Sequence, residues 1–518
     1  MSEEQKRQLQ QQLWAICNLL RGRMAGDEYR DYILGFIFYK FLSERLLTMA
    51  QDALADEELD YKQLDPAKDE HAEMIEAIKG EAVDSLGYHL NPDQLFSAIA
   101  KQIRDDKEAF ILGHLAQVLR DIENSTRGQE SEADFVHLFE DMDLNSSKLG
   151  KTPDDRNSII REILIRLDDI DFRLDDTDAD VIGDSYEYLI SNFASDAGKK
   201  AGEFYTPQKV SEILARAVSL GKDKLKSVYD PTCGSGSLLL RVAKKVNTVG
   251  HFYGQEFNRT TFNLARMNMI LHGVHYKDFD IKQDDTLERP QHLDLRFEAI
   301  VANPPFSLNW SANPLLLNDD RFSPYGKLAP KTKADMAFIQ HMLFQLDDNG
   351  TAAVVVPHGV LFRGSSEGHI REHIVREMNA LDAVIGLPAN LFFGTGIPAA
   401  ILVFKKCRED SENVLFIDAS NEYEKGKNQN NLLDEHVEKI ISTLASRETI
   451  DKYSYLAPLS QIAENDYNLN IPRYVDTFEE EEEIDLAIVL AEREAIEQRV
   501  IELNGKMDGY LKELSYGV

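Results

Sequence analysis

From Ser227 onward the chain is written in short apolar runs separated by helical stretches, and few folds accept that rhythm. The runs are SVYD (227–230), HFYGQE (251–256), FDIK (279–282), FEAIVAN (297–303), GTAAVVVP (350–357), LDAVIGLP (381–388) and AAILVFKK (399–406). A strand with one wet face alternates apolar and polar residues, whereas a strand covered on both faces is apolar almost throughout. Runs of this kind with helices between them predict a largely parallel sheet with helices on both sides, a doubly wound α/β domain. In such sheets ligands bind at the carboxyl ends of the strands. The domain is placed at 171–475.

The flanks read differently. Residues 1–170 are mostly helical. In DYILGFIFYKFLSERLL (31–47), Ile33, Phe36, Ile37, Phe41 and Leu42 recur near helical spacing and predict a core-facing stripe. An acidic, linker-like stretch follows from Ala53 to Glu70, and an amphipathic helix starts at Val181 and leads to the glycine-containing AGKKAGEFYTP. The tail, 476–518, opens with the acidic run Glu479 to Glu483. After it, Leu486, Val489, Arg493, Ile496, Val500, Leu503, Met507, Tyr510 and Leu514 step by three and four, a heptad seam interrupted by Arg493. That helix packs on its own domain or on a partner helix.

Composition excludes several classes. A chain that is 43% hydrophobic and 28% charged is ordinary for a globular protein. No stretch reaches the roughly 18 apolar residues of a membrane-spanning helix. The N-terminal MSEEQKRQLQQQLWAICNLL lacks the apolar core of a signal peptide. Cys17, Cys233 and Cys407 lie far apart, with neither a disulfide framework nor a CxxC metal pair, so we expect no metal and a cytoplasmic, reducing compartment. The net charge is −33. A protein that grips DNA alone needs a basic face. Either this chain binds no nucleic acid, or a partner supplies most of the grip.

After the first run comes Asp230-Pro231-Thr232-Cys233-Gly234-Ser235-Gly236-Ser237. A glycine turn between strand and helix lets a ligand approach the backbone and offers free N–H groups. Glu256 ends the next run, about 20 residues on, where a carboxylate holds a ribose diol. Leu239 stands where the third glycine of a dinucleotide fingerprint belongs, which counts against hydride transfer. At the end of the fourth run sits Asn303-Pro304-Pro305-Phe306. Two prolines cannot continue a strand, so the chain leaves the sheet rigidly at its carboxyl edge. The loop offers an amide, backbone carbonyls and an aromatic ring. These suit methylation of an exocyclic amine on a planar ring. Acceptors on the amine hydrogens localise its lone pair, and Phe306 stacks on a base taken out of its helix. Carbon-5 methylation of cytosine needs a Pro-Cys pair, which is absent, and Cys233 reads as structural. Gly150-Lys151-Thr152 ends like a phosphate-binding loop, but Asn145 replaces its first glycine, so it reads as a turn.

The order GEFYTP (202–207), DPTCGSGS (230–237), NPPF (303–306) resembles the gamma-class amino-methyltransferases. GDSYEYLI (183–190), GQEFNRTTFNLARMNM (254–269), FSPYGKLAPKTKADMAFIQH (322–341), LPANLFFGTGIPAAILVF (387–404) and the N-terminal YILGFIFYKFLSE are similar to the modification subunits of type I restriction–modification systems. The resemblance spans nearly the whole chain. It implies a class I S-adenosylmethionine-dependent methyltransferase that modifies N6 of adenine in DNA. It implies that Glu203, Phe204, Tyr205, Thr206, Pro207 and Gln208 close over the methionine part of the cofactor. Asp230 belongs to the same site, Ser235, Gly236 and Ser237 line it, Glu256 binds its ribose, and Asp285 partners its adenine, although Asp284 stands where the family often has glycine. Asn303, Pro304, Pro305 and Phe306 take the target adenine. The implied partners are a specificity subunit, a second copy of the chain, restriction subunits and double-stranded DNA, with no membrane. Lys327, Lys331 and Lys333 are candidates for backbone phosphates. Two other readings stand beside this one. The amine belongs to RNA adenine or to a protein glutamine, or the chain is mainly a scaffold for a specificity subunit.

Overall fold

The computed structural model describes residues 3–21, 26–57, 59–172, 181–197, 206–392, 396–427, 429–477 and 486–514. The chain forms two compact units, Met1–Val475 and Asp476–Val518. The second unit carries the helix Leu486–Glu513, as the heptad pattern predicts.

In the first unit the sheet strands are β1 (Lys224–Asp230), β2 (Thr248–Glu256), β3 (Phe279–Gln283), β4 (Phe297–Ala302), β5 (Leu346–Pro357), β6 (Leu381–Gly386), β7 (Ala399–Lys405) and β8 (Asn413–Asp418). A small hairpin pairs β9 (Glu424–Lys425) with β10 (Asn430–Asn431), and β11 (Ser454–Pro458) returns to the main sheet. The order across the nine-stranded sheet is β11-β8-β6-β7-β5-β4-β1-β2-β3. All seven runs became strands, and the mostly parallel, doubly wound class is borne out. β7 is the main exception, antiparallel to both β5 and β6. No helix is described between β6 and β7, and without a crossover helix a strand turns back beside its neighbour.

Besides the small hairpin, two strands of the nine-stranded sheet lie outside the sequence reading. β8 carries the same signal as the others, the apolar Val414–Ile417, and pairs in parallel with β6. β11 is a mixed edge strand, antiparallel to β8 alone, and its pattern is too weak to stand out.

Neighbouring residues in the central strands feed two different cores. Val228, Ala299, Val301, Ala353 and Val355 face one. Tyr229, Ile300, Ala302, Val354 and Val356 face the other. This is why the runs are apolar throughout.

The helical N-terminal region has its own apolar interior. Ile33, Phe36, Ile37 and Leu42 are completely buried and Phe41 nearly so. So are Leu34, Phe38 and Tyr39 on the other side of the helix Gly26–Ala53, which is therefore buried all round and not striped. The acidic stretch after it is tied down: Tyr61 is fully buried and its hydroxyl donates to the Leu90 carbonyl at 2.8 Å. Gly150-Lys151-Thr152 is a turn. The Thr152 hydroxyl accepts from the Asp155 N–H at 3.1 Å and caps the helix Pro153–Asp168.

The interior of the helical region also takes in Leu264, Met267 and Leu271 from the helix Arg259–Leu271, which lies in the sheet part of the chain. On that helix the fully buried Arg266 donates to the carbonyls of Ala133 (2.9 Å) and Val136 (3.1 Å) and to Asn263 Oδ1 (2.6 Å). Burial pulls its pKa down to about 10, against the attraction of Asp134. Replacing Arg266 with alanine leaves the buried Asn263 Oδ1 without its donor, at a cost of about 1–3 kcal/mol, and loses two further bonds to Ala133 and Val136. The expected result is a clearly lower urea midpoint with faster proteolysis in the helical region. An unchanged midpoint would refute this role.

Candidate active site

β3, β2, β1 and β4 are parallel neighbours, with Asp230 beside Gly254, Glu256 beside Gln283, and Tyr229 beside Ile300. Their carboxyl ends lie together, and so do the loops that follow them.

The turn after β1 needs both of its glycines. Gly234 and Gly236 have φ of 55° and 76°, the left-handed region that residues with a Cβ rarely enter. The turn is held from β2, where the Cys233 N–H donates to the Gln255 carbonyl at 3.0 Å. The Glu256 carboxylate then accepts two backbone N–H groups, from Gly234 at 3.0 Å and from Asn258 at 2.8 Å. Burial raises the Glu256 pKa, and these N–H bonds only partly counter it. Asp230 is buried, and its Oδ1 accepts from the Thr232 N–H at 2.9 Å and hydroxyl at 3.4 Å. Burial pushes its pKa up to about 8, with the Glu256 charge adding to the effect. The Cys233 thiol is buried, and burial raises its pKa, which fits a packing role.

After β3, Asp284 turns away to Arg289, with N–O distances of 2.8 and 2.7 Å. Asp285 Oδ1 accepts the N–H groups of Leu287 (2.9 Å) and Glu288 (3.2 Å) and so shapes its own turn. The Thr286 hydroxyl donates to the Pro231 carbonyl at 2.6 Å, which joins this loop to the glycine turn. Beneath it, the fully buried Arg321 donates to the carbonyls of Thr286 (3.0 Å) and Leu287 (2.8 Å). Arg321 also lies 3.2 Å from His341 Nδ1. A guanidinium only donates, so Nδ1 accepts and the His341 proton sits on Nε2, 3.0 Å from the Tyr229 hydroxyl. Burial holds His341 far below its usual pKa. Sequence reasoning did not find this support, because its members are 112 positions apart at the widest.

After β4, Asn303 is half-buried and Pro304 buried. The Asn303 amide nitrogen donates to the Thr206 hydroxyl at 3.1 Å. Its Oδ1 is buried and has no partner. Phe306 meets Phe392 edge-on, 5.6 Å between ring centres, a neighbour absent from the sequence reading. The bonds above thus tie together the loops bearing Asp230, Ser235, Gly236, Ser237, Glu256 and Asp285, and separately Asn303 to Thr206, while the Asn303–Phe306 loop follows β4, the parallel neighbour of β1. Ser235 and Ser237 share a hydroxyl contact of 3.0 Å, and Asn268 holds the Ser235 carbonyl at 2.9 Å. Glu203, Phe204 and Tyr205 lie outside the described residues. Pro207 precedes the helix Gln208–Val218, and Gln208 lines a polar cavity of about 320 Å³ with Arg7, Glu187 and Arg241. Among the described residues Asp184, Glu187 and His272 form one metal-like group, with ligand atoms within 4.8 Å of one another. Its carboxylates already face Lys244 (2.5 Å) and Arg241 (3.4 Å).

Residues 177–483 match the family model of N-6 DNA methylases, and residues 9–166 match that of the HsdM N-terminal domain. The chain is 37% identical to the type I restriction enzyme MpnII methylase subunit of Mycoplasma pneumoniae, over 99% of this chain and 97% of that one. It is 34% identical to the HindI methylase subunit of Haemophilus influenzae, over 59% of this chain and 70% of that one. A crystal structure of the type I restriction-modification methyltransferase subunit from Streptococcus thermophilus superposes with a TM-score of 0.82 at 43% identity, over 91% of this chain and all of that one. The chain belongs to the N-6 DNA methylases, and within them to the methylase subunits of type I restriction enzymes.

Proposed function

We propose that the chain transfers a methyl group from S-adenosylmethionine to N6 of adenine in DNA, at a site read by a separate specificity subunit. In this reading residues 1–170 are a helical N-terminal domain, 171–475 the methyltransferase domain, and 476–518 a tail whose heptad seam meets a partner. The observation that carries the reading is the Asn303 oxygen. A buried acceptor without a partner is costly and calls for a donor, and this one sits in the loop that leaves the carboxyl end of β4, on the side chain that donates to Thr206. An adenine amine is a donor of the right kind.

The donor set at the strand ends fits the cofactor. Asp230 is buried and Glu256 half-buried, both beside a turn whose two glycines are left-handed, and the two carboxylates suit an ammonium and a ribose diol. Thr206 to Gln208 and the preceding Glu203 to Tyr205 supply the cover, Ser235 to Ser237 the floor, and Asp285 the adenine partner. When bound, the cofactor supplies a methyl group activated by a positively charged sulfur. The protein's part is orientation and electrostatics. Asn303 Oδ1 takes one amine hydrogen of the target and the Pro304 carbonyl takes the other. That raises the electron density on N6 and stabilises the charge that develops there. Phe306 stacks on the extruded base. Pro304 and Pro305 keep these acceptors from swinging.

A net charge of −33 suits a catalytic subunit whose partner delivers the DNA. Lys327 and Lys331, both exposed, and the half-buried Lys333 touch phosphates near the site in this reading. A specificity subunit, a second copy of this chain and restriction subunits complete the assembly.

The test is methyl transfer from labelled S-adenosylmethionine to duplex DNA, with and without the specificity subunit, followed by nucleoside analysis. N6-methyladenine formed only with the partner supports the reading, whereas labelled RNA or protein in its place would replace it. Asn303→Ala is expected to lower the rate about 10²–10³-fold while leaving assembly intact. Glu256→Ala removes a charged hydrogen bond worth about 1.5–3 kcal/mol, so cofactor affinity should fall roughly 10- to 100-fold in calorimetry. Asp230 gives a pH signature. Its folded pKa of about 8 lies above the ordinary carboxylate value, so the stability its neutral form contributes is present in acid and is lost as pH rises toward 8. A cationic ligand prefers the ionised form, so cofactor affinity should rise over the same range. Asp230→Asn should flatten that rise, and an affinity that stays pH-independent in the unaltered protein would count against the ammonium contact.

A further inference from the structure

The target loop is held at both ends, and only one of the two anchors belongs to the residues already given a role. Pro304 and Pro305 have no N–H, so the loop has few backbone donors of its own with which to fix itself. At its start, Asn303 is held by Thr206. At its exit, the Ser307 N–H donates to Asp335 Oδ1 at 3.0 Å. Ser307 has φ of 54°, a left-handed conformation that a serine keeps only where its surroundings impose it. Asp335 opens the helix Asp335–Gln345 and is almost fully buried.

We infer that Asp335 is a positioning residue that locks the exit of the Asn303–Phe306 loop through the Ser307 N–H, and that Arg363 holds its carboxylate in that orientation. The inference rests on Asn303–Phe306 being the target-binding loop. Asp335 Oδ2 lies 3.3 Å from Arg363 Nη1, and the same nitrogen reaches Glu367 Oε1 at 2.9 Å. Glu367 is buried as well. Gly359 leaves room for the guanidinium, since a Cβ there would lie 2.3 Å from Arg363 Nε. Arg371 fixes the backbone of the clamp by donating to the carbonyls of Arg363 and Val360, both at 3.0 Å. The chain beyond Ser307 is stitched to the same region: Ala334 N–H donates to the Leu308 carbonyl at 2.9 Å, and Trp310 N–H to the Lys331 carbonyl at 3.0 Å.

The chemistry of position 335 is specific. One carboxylate oxygen serves a backbone N–H and the other a guanidinium, so both must accept. Asparagine keeps the first bond and points an amide donor at Arg363. Alanine loses both. A loop freed at its exit lets Asn303 and the Pro304 carbonyl wander, and a misplacement near 1 Å costs on the order of 10²-fold in rate.

The experiment uses the full-length chain in its methylating assembly. It compares single-turnover methyl transfer to DNA, cofactor affinity by calorimetry and thermal melting for Asp335→Ala, Asp335→Asn and Asn303→Ala. Asp335→Ala should lose about 10²-fold in rate with cofactor affinity nearly unchanged, and Asp335→Asn should recover most of that loss. If Asp335→Ala does not fold, Asp335→Asn decides alone, with a rate reduced about tenfold and unaltered cofactor binding. An unchanged rate in the Asp335 variants, or a rate loss matched by an equal loss of cofactor affinity, overturns the inference. An active Asn303→Ala protein overturns it together with the reading of the loop. An inactive Asn303→Ala beside fully active Asp335 variants overturns the positioning role alone.

Discussion

The chemistry of this molecule depends on the parallel pairing of β3, β2, β1 and β4. Parallel strands end at the same edge of a sheet, so the loops leaving Asp230, Glu256, Gln283 and Ala302 are neighbours whatever their distance in sequence. Short bonds then tie the loops after β1, β2 and β3 to one another. Glu256 binds the Gly234 N–H, Thr286 binds the Pro231 carbonyl, and Arg321 binds the carbonyls of Thr286 and Leu287.

Polar groups are buried across the whole fold, yet most are satisfied. Asp382 in β6, for example, meets Lys405, Arg408 and Arg447. At the carboxyl edge the balance differs. Asp230 and Glu256 are carboxylates that burial drives toward neutrality, and the Asn303 oxygen has no donor. Asp230 and Glu256 still accept backbone N–H groups, so of the three only the Asn303 oxygen is left without a bond. At the same edge Pro304 and Pro305 stiffen the chain after Asn303, and Ser307 takes a left-handed φ of 54°.

The helical N-terminal region and the sheet meet around the helix Arg259–Leu271. That helix gives Leu264 and Met267 to the helical interior and Ala265 and Met269 to the sheet. It also follows β2, the strand that ends in Glu256. In a strongly acidic chain, that arrangement suits a catalytic body that takes its substrate from partners.

The sequence by itself determined the fold class and marked the candidate site. Continuous apolar runs demand burial on both faces, glycines at 234 and 236 demand a left-handed turn, and a proline pair at 304 and 305 demands an exit from the sheet. These are local constraints, set by residues close together in the chain. Sequence also marked Glu256 and Asn303, because each stands at the end of an apolar run. The tertiary structure alone decided the rest. It set β7 antiparallel, buried both sides of the helix Gly26–Ala53, and placed Arg321 and His341 under the Asp285 loop. It also set Phe392 against Phe306 and Asp335 against Ser307. Those contacts join residues 28 to 112 positions apart. Their signal is a lone charged or aromatic residue with no periodicity, and only the packed chain shows what it faces.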